Sequence, residues 1–340
     1  MAKDRDISQN PEKTLKLDLK DRKIIQELNR NARQSVSSIA KRLGTSKQAV
    51  NYKLNRMLRE GVIRGFVVFV DTQRLGYTYY NLYLQLGWIS QENEKELEEF
   101  FKKEPNITWA ASGVGRWNLA VSILAKDAAE FHKTSIKIFQ QCKNLISHAT
   151  FITTEAYTLP HQYLFQDIPS QIQKTEAYVS QKSKPVKLEE EDMSILWELS
   201  KNARITNTEL SQKLNMKTST VKYKISRMEK IGVIQAYKPL LNVSKLRKNR
   251  HIIMLKLNYK NQEQEQKLFD YLKSMPYIRY IAKGIGRWGL TITIHQENME
   301  QFNQTINQLK ENFKDTIIML ESTAILKVYK CNFFTQNIKS

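Results

Sequence analysis

The sequence predicts an α+β protein that writes one unit twice. Each unit is a run of three short helices followed by the order β-α-β-β-α-β. Two observations carry this. The first is internal repetition. KLDLKDRKIIQELNRNAR from Lys16 aligns with KLEEEDMSILWELSKNAR from Lys187, YKLNRMLREGVI from Tyr52 with YKISRMEKIGVI from Tyr223, and GVGRWNL from Gly113 with GIGRWGL from Gly284. Pro105 and Pro276, and Phe131 and Phe302, keep the same spacing, so the copies align without a gap as a diverged tandem duplication. The second is periodicity: the apolar residues recur at helical spacing in the first part of each unit and alternate in much of the second.

The elements follow in order. Leu17, Ile24, Ile25 and Leu28 share a helix face, with Asp18 and Asp21 in the first turn, where carboxylates suit the positive end of the helix dipole. Leu188, Ile195, Leu196 and Leu199 repeat the face. A short second helix, SVSSIAKRL, has the counterpart TNTELSQKL, in which Thr206 and Glu209 form a capping-box pattern. Gly44 and its equivalent Asn215 are the residue types that tolerate a left-handed turn. The third helix, SKQAVNYKLNRMLRE, is expected to start with a Thr45/Gln48 capping box and to stop at Gly61; its twin stops at Gly232. Three helices with such a turn before the third describe a winged-type helix-turn-helix.

On the third helix Val50, Leu54 and Met57 form the apolar stripe, and Lys47, Gln48, Asn51, Tyr52 and Asn55 the opposite face, with Lys53 and Arg56 on the flanks. The second copy pairs a Val221, Ile225, Met228 stripe with Thr218, Ser219, Lys222, Tyr223 and Ser226, flanked by Lys224 and Arg227. Amide and hydroxyl groups can read base edges while lysine and arginine neutralise phosphates, so these residues are the expected contacts to double-stranded DNA. SKLRKNR, Ser244 to Arg250, is a further basic cluster with phosphate-contact potential.

VIRGFVVFVD then reads as a strand leaving the helical module. YTYYNLYLQLGW alternates, with Tyr80, Leu82, Leu84 and Leu86 on one face. QENEKELEEFFKK is a helix stopped before Pro105, ITWAASGV and RWNLAVSIL are strands, DAAEFHKTSIKIFQQC is a helix and ISHATFITTEAYTL the last strand. This is a ferredoxin-like unit. A sheet with helices on one face needs a cover on the other, and a second copy can supply it. GVGRWNL lacks the third glycine and the following helix of a phosphate-binding loop, so Gly113 and Gly115, like Gly284 and Gly286, are expected to allow a bend or close backbone approach.

The resulting division is an N-terminal tail (1–15), a first helix-turn-helix domain (16–66), a first ferredoxin-like domain (67–159), a linker (160–186), a second helix-turn-helix domain (187–237), a second ferredoxin-like domain (238–331) and a tail (332–340). The linker is polar, with three prolines, and its reach as a coil is on the order of 30 Å.

Composition narrows the function. The 340 residues carry 54 Lys+Arg against 34 Asp+Glu, a net charge of +20 that draws a protein to polyanions. The two cysteines, Cys142 and Cys331, occupy non-equivalent places, so no disulfide framework is expected and a reducing compartment is the default. No histidine falls at metal-ligand spacing, and no cofactor or metal is expected. MAKDRDISQN lacks a signal-peptide core, and no apolar run of about 18 residues appears, so no membrane is expected as a partner. These readings point to a soluble intracellular protein.

A helix-turn-helix followed by β-α-β-β-α-β resembles the Lrp/AsnC (feast/famine) family of prokaryotic transcription regulators. LDLKDRKIIQEL, the NAR triplets at Asn31 and Asn202, the GVI triplets at Gly61 and Gly232, and the glycine motif between the central strands carry the resemblance. It implies promoter binding, nucleoid association in the cytoplasm, self-association through the ferredoxin-like domains, higher oligomers, and a small-molecule effector at the sheet interfaces. There, Gly113, Gly115, Arg116, Trp117 and Asn118, with Gly284, Gly286, Arg287 and Trp288, are the candidates. The chain departs from the family pattern in being a fused pair, a pseudo-dimer. It also carries Asn118 and Gly289 where the family's motif commonly has an aspartate, which argues against an amino-acid ammonium as the bound group.

Two other functions fit the same architecture. Siroheme decarboxylases resemble it and use histidine and arginine around a tetrapyrrole. Here no histidine pair is matched between the copies, since His148 aligns with Met319 and His132 with Asn303. An architectural DNA-binding protein of low specificity is the other.

Overall fold

The computed structural model describes residues 16–165, 176–179, 184–259, 262–332, 334, 335 and 338. The 1–15 tail and most of the linker and of the C-terminal tail lie outside them.

Each unit opens with three helices, α1 (Leu19–Arg30), α2 (Val36–Leu43) and α3 (Lys47–Arg59) in the first and α6 (Glu190–Lys201), α7 (Asn207–Leu214) and α8 (Thr218–Lys230) in the second. The apolar stripes inferred from the sequence are buried, and both sets belong to one core: Ile24, Ile25, Leu28, Val50, Leu54 and Met57 from the first module and Ile195, Leu196, Leu199, Val221, Ile225 and Met228 from the second. Asp18 caps α1 through a reciprocal box with Asp21. Gly44 and Asn215 adopt left-handed angles at the turns before α3 and α8, and Thr206 and Glu209 make the capping box of α7. One cap differs from expectation: the hydroxyl that accepts from the Ala49 amide at the start of α3 belongs to Ser46, not Thr45, because the chain enters the helix one residue later.

The strand after each helical module does not join its own ferredoxin-like sheet. β1 (Ile63–Val70) pairs antiparallel with β7 (Ile234–Leu241) in a separate ribbon that ties the two modules together. The remaining strands are β2 (Thr78–Leu86), β3 (Ile107–Gly115), β4 (Leu119–Ala125) and β5 (Leu145–Thr158) in unit one, with α4 (Gln91–Lys103) and α5 (Ala128–Gln141). Unit two supplies β8 (Asn249–Leu257), β9 (Ile278–Gly286), β10 (Leu290–Gln296) and β11 (Ile317–Cys331), with α9 (Gln262–Ser274) and α10 (Met299–Asn312). The order β2-β4-β3-β11-β8-β10-β9-β5 closes through a β5–β2 pairing, so the two sheets form one ring of eight strands. Closure removes the exposed edges that a half-sheet would offer. A short strand, β6 (Glu176–Val179), adds to β5 from within the segment read as linker.

The cores divide accordingly. Tyr80, Leu82, Leu84 and Leu86 pack under α4 and α5, Ile253, Leu255 and Leu257 under α9 and α10. The other face of each sheet turns to its twin: Tyr83 meets Trp288 edge-on at 5.0 Å and Trp288 meets Trp117 at 5.6 Å. The second copy is thus the cover that the first sheet requires.

The register also corrects the alignment. α5 and α10 stand 171 residues apart, but β5 starts at Leu145 and β11 at Ile317, because the turn before β11 holds one more residue. Pairing of Leu84 with His148 and of Leu255 with Leu320 makes Leu320, not Met319, the counterpart of His148.

Candidate nucleic-acid interface

The outer face of α3 presents Lys47, Gln48, Asn51, Tyr52 and Asn55 to solvent, and that of α8 presents Thr218, Ser219, Lys222, Tyr223 and Ser226. Tyr52 and Tyr223 are each 67% exposed, so the copies hold this ring at the same place on the helix. The flanking cations behave differently. Lys53 bonds Asp18 at 2.5 Å and Asp21 at 3.2 Å, and Arg56 bonds Asp21 at 2.5 Å. In unit two Lys224 sits on Glu189 at 2.5 Å and Glu191 at 3.0 Å, and Arg227 lies 3.6 Å from Asp192. Burial lowers the Lys53 ammonium pKa, but Asp18 and Asp21 outweigh it and hold the group above its ordinary range; Lys224 is raised in the same way by Glu189 and Glu191. The structure therefore places Lys53, Arg56, Lys224 and Arg227 as clamps between the third helix and the first. Their spacing on the helix is unchanged, but carboxylates on α1 and α6 already take their charge.

The basic cluster SKLRKNR is also redirected. Lys248 pairs with Glu297 at 2.5 Å, and Arg250 turns inward onto His295.

The relative placement of α3 and α8 is set by residues whose role the sequence did not reveal. Arg33 donates from Nη1 to the carbonyls of Ala203 and Ile205, both at 2.8 Å, and from Nη2 to Asn207 Oδ1 at 2.9 Å. Arg204, its equivalent, donates to the carbonyls of Ala32 and Gln34. Each guanidinium lies over an aromatic ring of the ribbon, Arg33 over Tyr237 and Arg204 over Phe66. Planar guanidinium forks suit such paired acceptors. The signal was the NAR triplet, present in both copies at the same place; what it lacked was any indication that its arginine reaches the other copy.

The glycine motifs sit on the seam of the ring. β3 pairs with β11 so that Gly115 faces Thr323, and β9 pairs with β5 so that Gly286 faces Phe151. A methyl group at Gly113 would collide with the Ala324 carbonyl, and one at Gly284 with the Ile152 carbonyl. Close backbone approach is thus what these glycines permit. Arg116 and Arg287 converge on Glu321, at 3.5 and 3.2 Å, and Trp288 Nε1 donates to the same carboxylate at 2.6 Å. Burial pushes the Glu321 carboxyl up, but the Arg287 and Trp288 bonds prevail and leave it below its ordinary range. Trp117 is buried against Trp288, and Asn118 closes the end of β2 by bonding both backbone groups of Leu86 at 2.8 and 2.9 Å. Arg116, Trp117, Asn118, Arg287 and Trp288 are thus engaged within the seam, in packing or polar contacts, while Val114 and Ile285 of the same motifs face solvent.

Comparison with known proteins follows this division. The winged helix-turn-helix DNA-binding family matches residues 17–64 and 188–235. An uncharacterised helix-turn-helix-type transcriptional regulator of Pyrococcus furiosus is 27% identical over 139 residues, 40% of this chain and 92% of its own length. The solved structure of Escherichia coli AsnC is 20% identical and covers 47% of this chain and 98% of its own, with a TM-score of 0.36. A crystal structure of a siroheme decarboxylase covers 94% of this chain and 96% of its own, with a TM-score of 0.60 at 11% identity, which shows a shared fold and no more.

The two matched helix-turn-helix modules, with the transcriptional regulators that each unit resembles, place the chain among DNA-binding transcription regulators. Within that class the chain carries two tandem copies of a unit, each with a match to the winged helix-turn-helix DNA-binding family. Among the described residues no helix is long and apolar enough to cross a membrane.

Proposed function

We propose that this chain is a sequence-specific regulator acting as a covalent pseudo-dimer, and not an enzyme. Residues 16–66 and 187–237 serve as the two DNA-binding domains, the ferredoxin-like domains assemble the pair and higher oligomers, and the protein works at the nucleoid. The observation that carries this is the pair of solvent-facing surfaces on α3 and α8, held to one another by the Arg33 and Arg204 clips. Asn51, Gln48 and Asn55 offer amide groups to one half-site; Lys222, Ser219, Thr218 and Ser226 offer an ammonium and hydroxyls to the other. Symmetric homodimers favour palindromes, so unlike faces select an asymmetric site.

The test is binding of the full chain to its upstream DNA against random DNA. Asn51→Ala should cost about 1–3 kcal/mol and relax base preference in one half-site only. Lys222→Ala should weaken binding across sequences and reduce the salt slope by about one. If both variants retain wild-type specificity and salt dependence, α3 and α8 do not read DNA. Equal affinity for random DNA would instead support the architectural role. Uptake of siroheme with release of carbon dioxide would support the decarboxylase reading that the shared fold allows.

A further inference from the structure

The inward faces of the two sheets are not alike. At the start of β8, the start of β9 and the end of β10, unit two carries Arg250, Arg279 and His295, where unit one has Tyr79, Thr108 and Leu124. Arg250 Nε donates to His295 Nε2 at 3.3 Å. His295 Nδ1 lies 3.3 Å from the Tyr163 hydroxyl, which lies 2.7 Å from His161 Nδ1. A guanidinium can only donate, so Nε2 of His295 must accept and its proton resides on Nδ1. Tyr163 then accepts from His295 and donates to His161. All the protons in this chain point away from Arg250.

His161, Tyr163 and His295 are buried. Burial, then the charges of Arg279 and Arg250, hold both histidines well below their ordinary range, so they stay neutral. Burial also lowers Arg279 to about 10. Its Nη1 is shut off from solvent and has no hydrogen-bond partner. Among the described residues no carboxylate pairs with Arg250 or Arg279; Glu297 is taken by Lys248. A sheltered guanidinium without a counter-charge is costly, and an orphaned donor of this kind marks a place for an ion. The fold does not demand the charges: Tyr79 and Leu124 fill the equivalent positions with apolar core, and Thr108 satisfies itself on the Ser122 carbonyl at 3.0 Å.

We propose that Arg279 and Arg250, backed by the His295–Tyr163–His161 chain, bind the oxyanion of a small acidic molecule, a carboxylate or a phosphate, and that its occupancy adjusts the first DNA-binding module. The second half rests on the regulator reading. The route is short. Tyr163 sits in the turn Gln162–Leu164, and the Leu164 carbonyl accepts from Arg22 of α1 at 3.5 Å. Tyr163, Leu164 and Phe165 share one apolar core with Ile24 and Leu28 of the same helix. Lys238 of the ribbon, whose charge also acts on His161, bonds the Asn29 carbonyl at the end of α1 at 2.6 Å.

The test uses the full chain with inorganic phosphate and with succinate, each against chloride at equal ionic strength. Thermal unfolding and affinity for upstream DNA are both read. Either probe should raise Tm by a few degrees beyond chloride. Arg279→Gln should fold, by circular dichroism, and lose that increment, while Lys222→Ala, on the DNA face, should keep it. A response to phosphate alone or to succinate alone names the source of the oxyanion. The site is overturned if neither probe exceeds chloride or if Arg279→Gln responds like the wild type. The coupling is overturned if a probe raises Tm yet leaves DNA affinity unchanged. Failure to bind any DNA defeats the regulator reading instead, and the Tm comparison still decides the site.

Discussion

The two units answer the same folding problem with the same backbone, and how far their chemistry diverges depends on the place. Where the units must hold one another they are near-identical: Arg33 and Arg204, the glycines of the seam, and Trp117 and Trp288 repeat. Where each faces the outside they diverge, as in Asn51 against Lys222 on the reading helices. Inside the ring they diverge again: Tyr79 and Leu124 pack as apolar core at the positions equivalent to Arg250 and His295. Fusion explains the pattern. A homodimer must spend every substitution twice, whereas a covalent pair can change one face and leave its twin alone, provided the shared seam is kept.

The seam is therefore where substitution should cost most, and equally in both halves. Gly284→Ala places a methyl group against the Ile152 carbonyl and Gly113→Ala one against the Ala324 carbonyl. Both neighbours are strand backbone that cannot swing aside, so each variant should lose about 3 kcal/mol in denaturant unfolding. A loss under about 1 kcal/mol at either site would show that the ring of strands tolerates separation there.

The clips come next. Arg33→Ala and Arg204→Ala each remove charge-assisted bonds to carbonyls of the other module, worth about 1.5–3 kcal/mol. Both should also weaken DNA binding, because the two reading helices lose their fixed separation. Arg33→Lys should not rescue, since an ammonium cannot span paired acceptors. Full rescue by lysine would mean that charge, not the fork, holds the modules.

Much of this is legible in the sequence alone. Periodicity and capping residues located α1, α2 and α3 and their twins, because such signals are local. The solvent faces of α3 and α8 followed from the stripe opposite them. What escaped was non-local. The α1 carboxylates that take Lys53 and Arg56 lie about 35 residues away in sequence, and Arg33 reaches carbonyls about 170 away. Nor could any pattern place His161 of the linker beside His295. The alignment slipped by one at β11 because a single residue added in a turn leaves alternation intact on both sides of it.

The smallest effect tests whether divergence at the reading helices is a trade. Ser46 caps α3, accepting from the Ala49 amide at 3.1 Å, while α8 has Lys217 at that position and no side-chain cap. A lysine there also sets a positive charge against the positive end of the helix, so it costs stability twice. The same charge at the same place is well sited for a phosphate beside the groove. Lys217→Ser should therefore raise stability by about 0.5–1 kcal/mol and reduce the salt slope of DNA binding by about one. Ser46→Ala should lower stability by about 1 kcal/mol and leave the slope alone. If Lys217→Ser stabilises without touching DNA affinity, the lysine is drift in an idle copy, and the second helix-turn-helix is not an equal partner in binding.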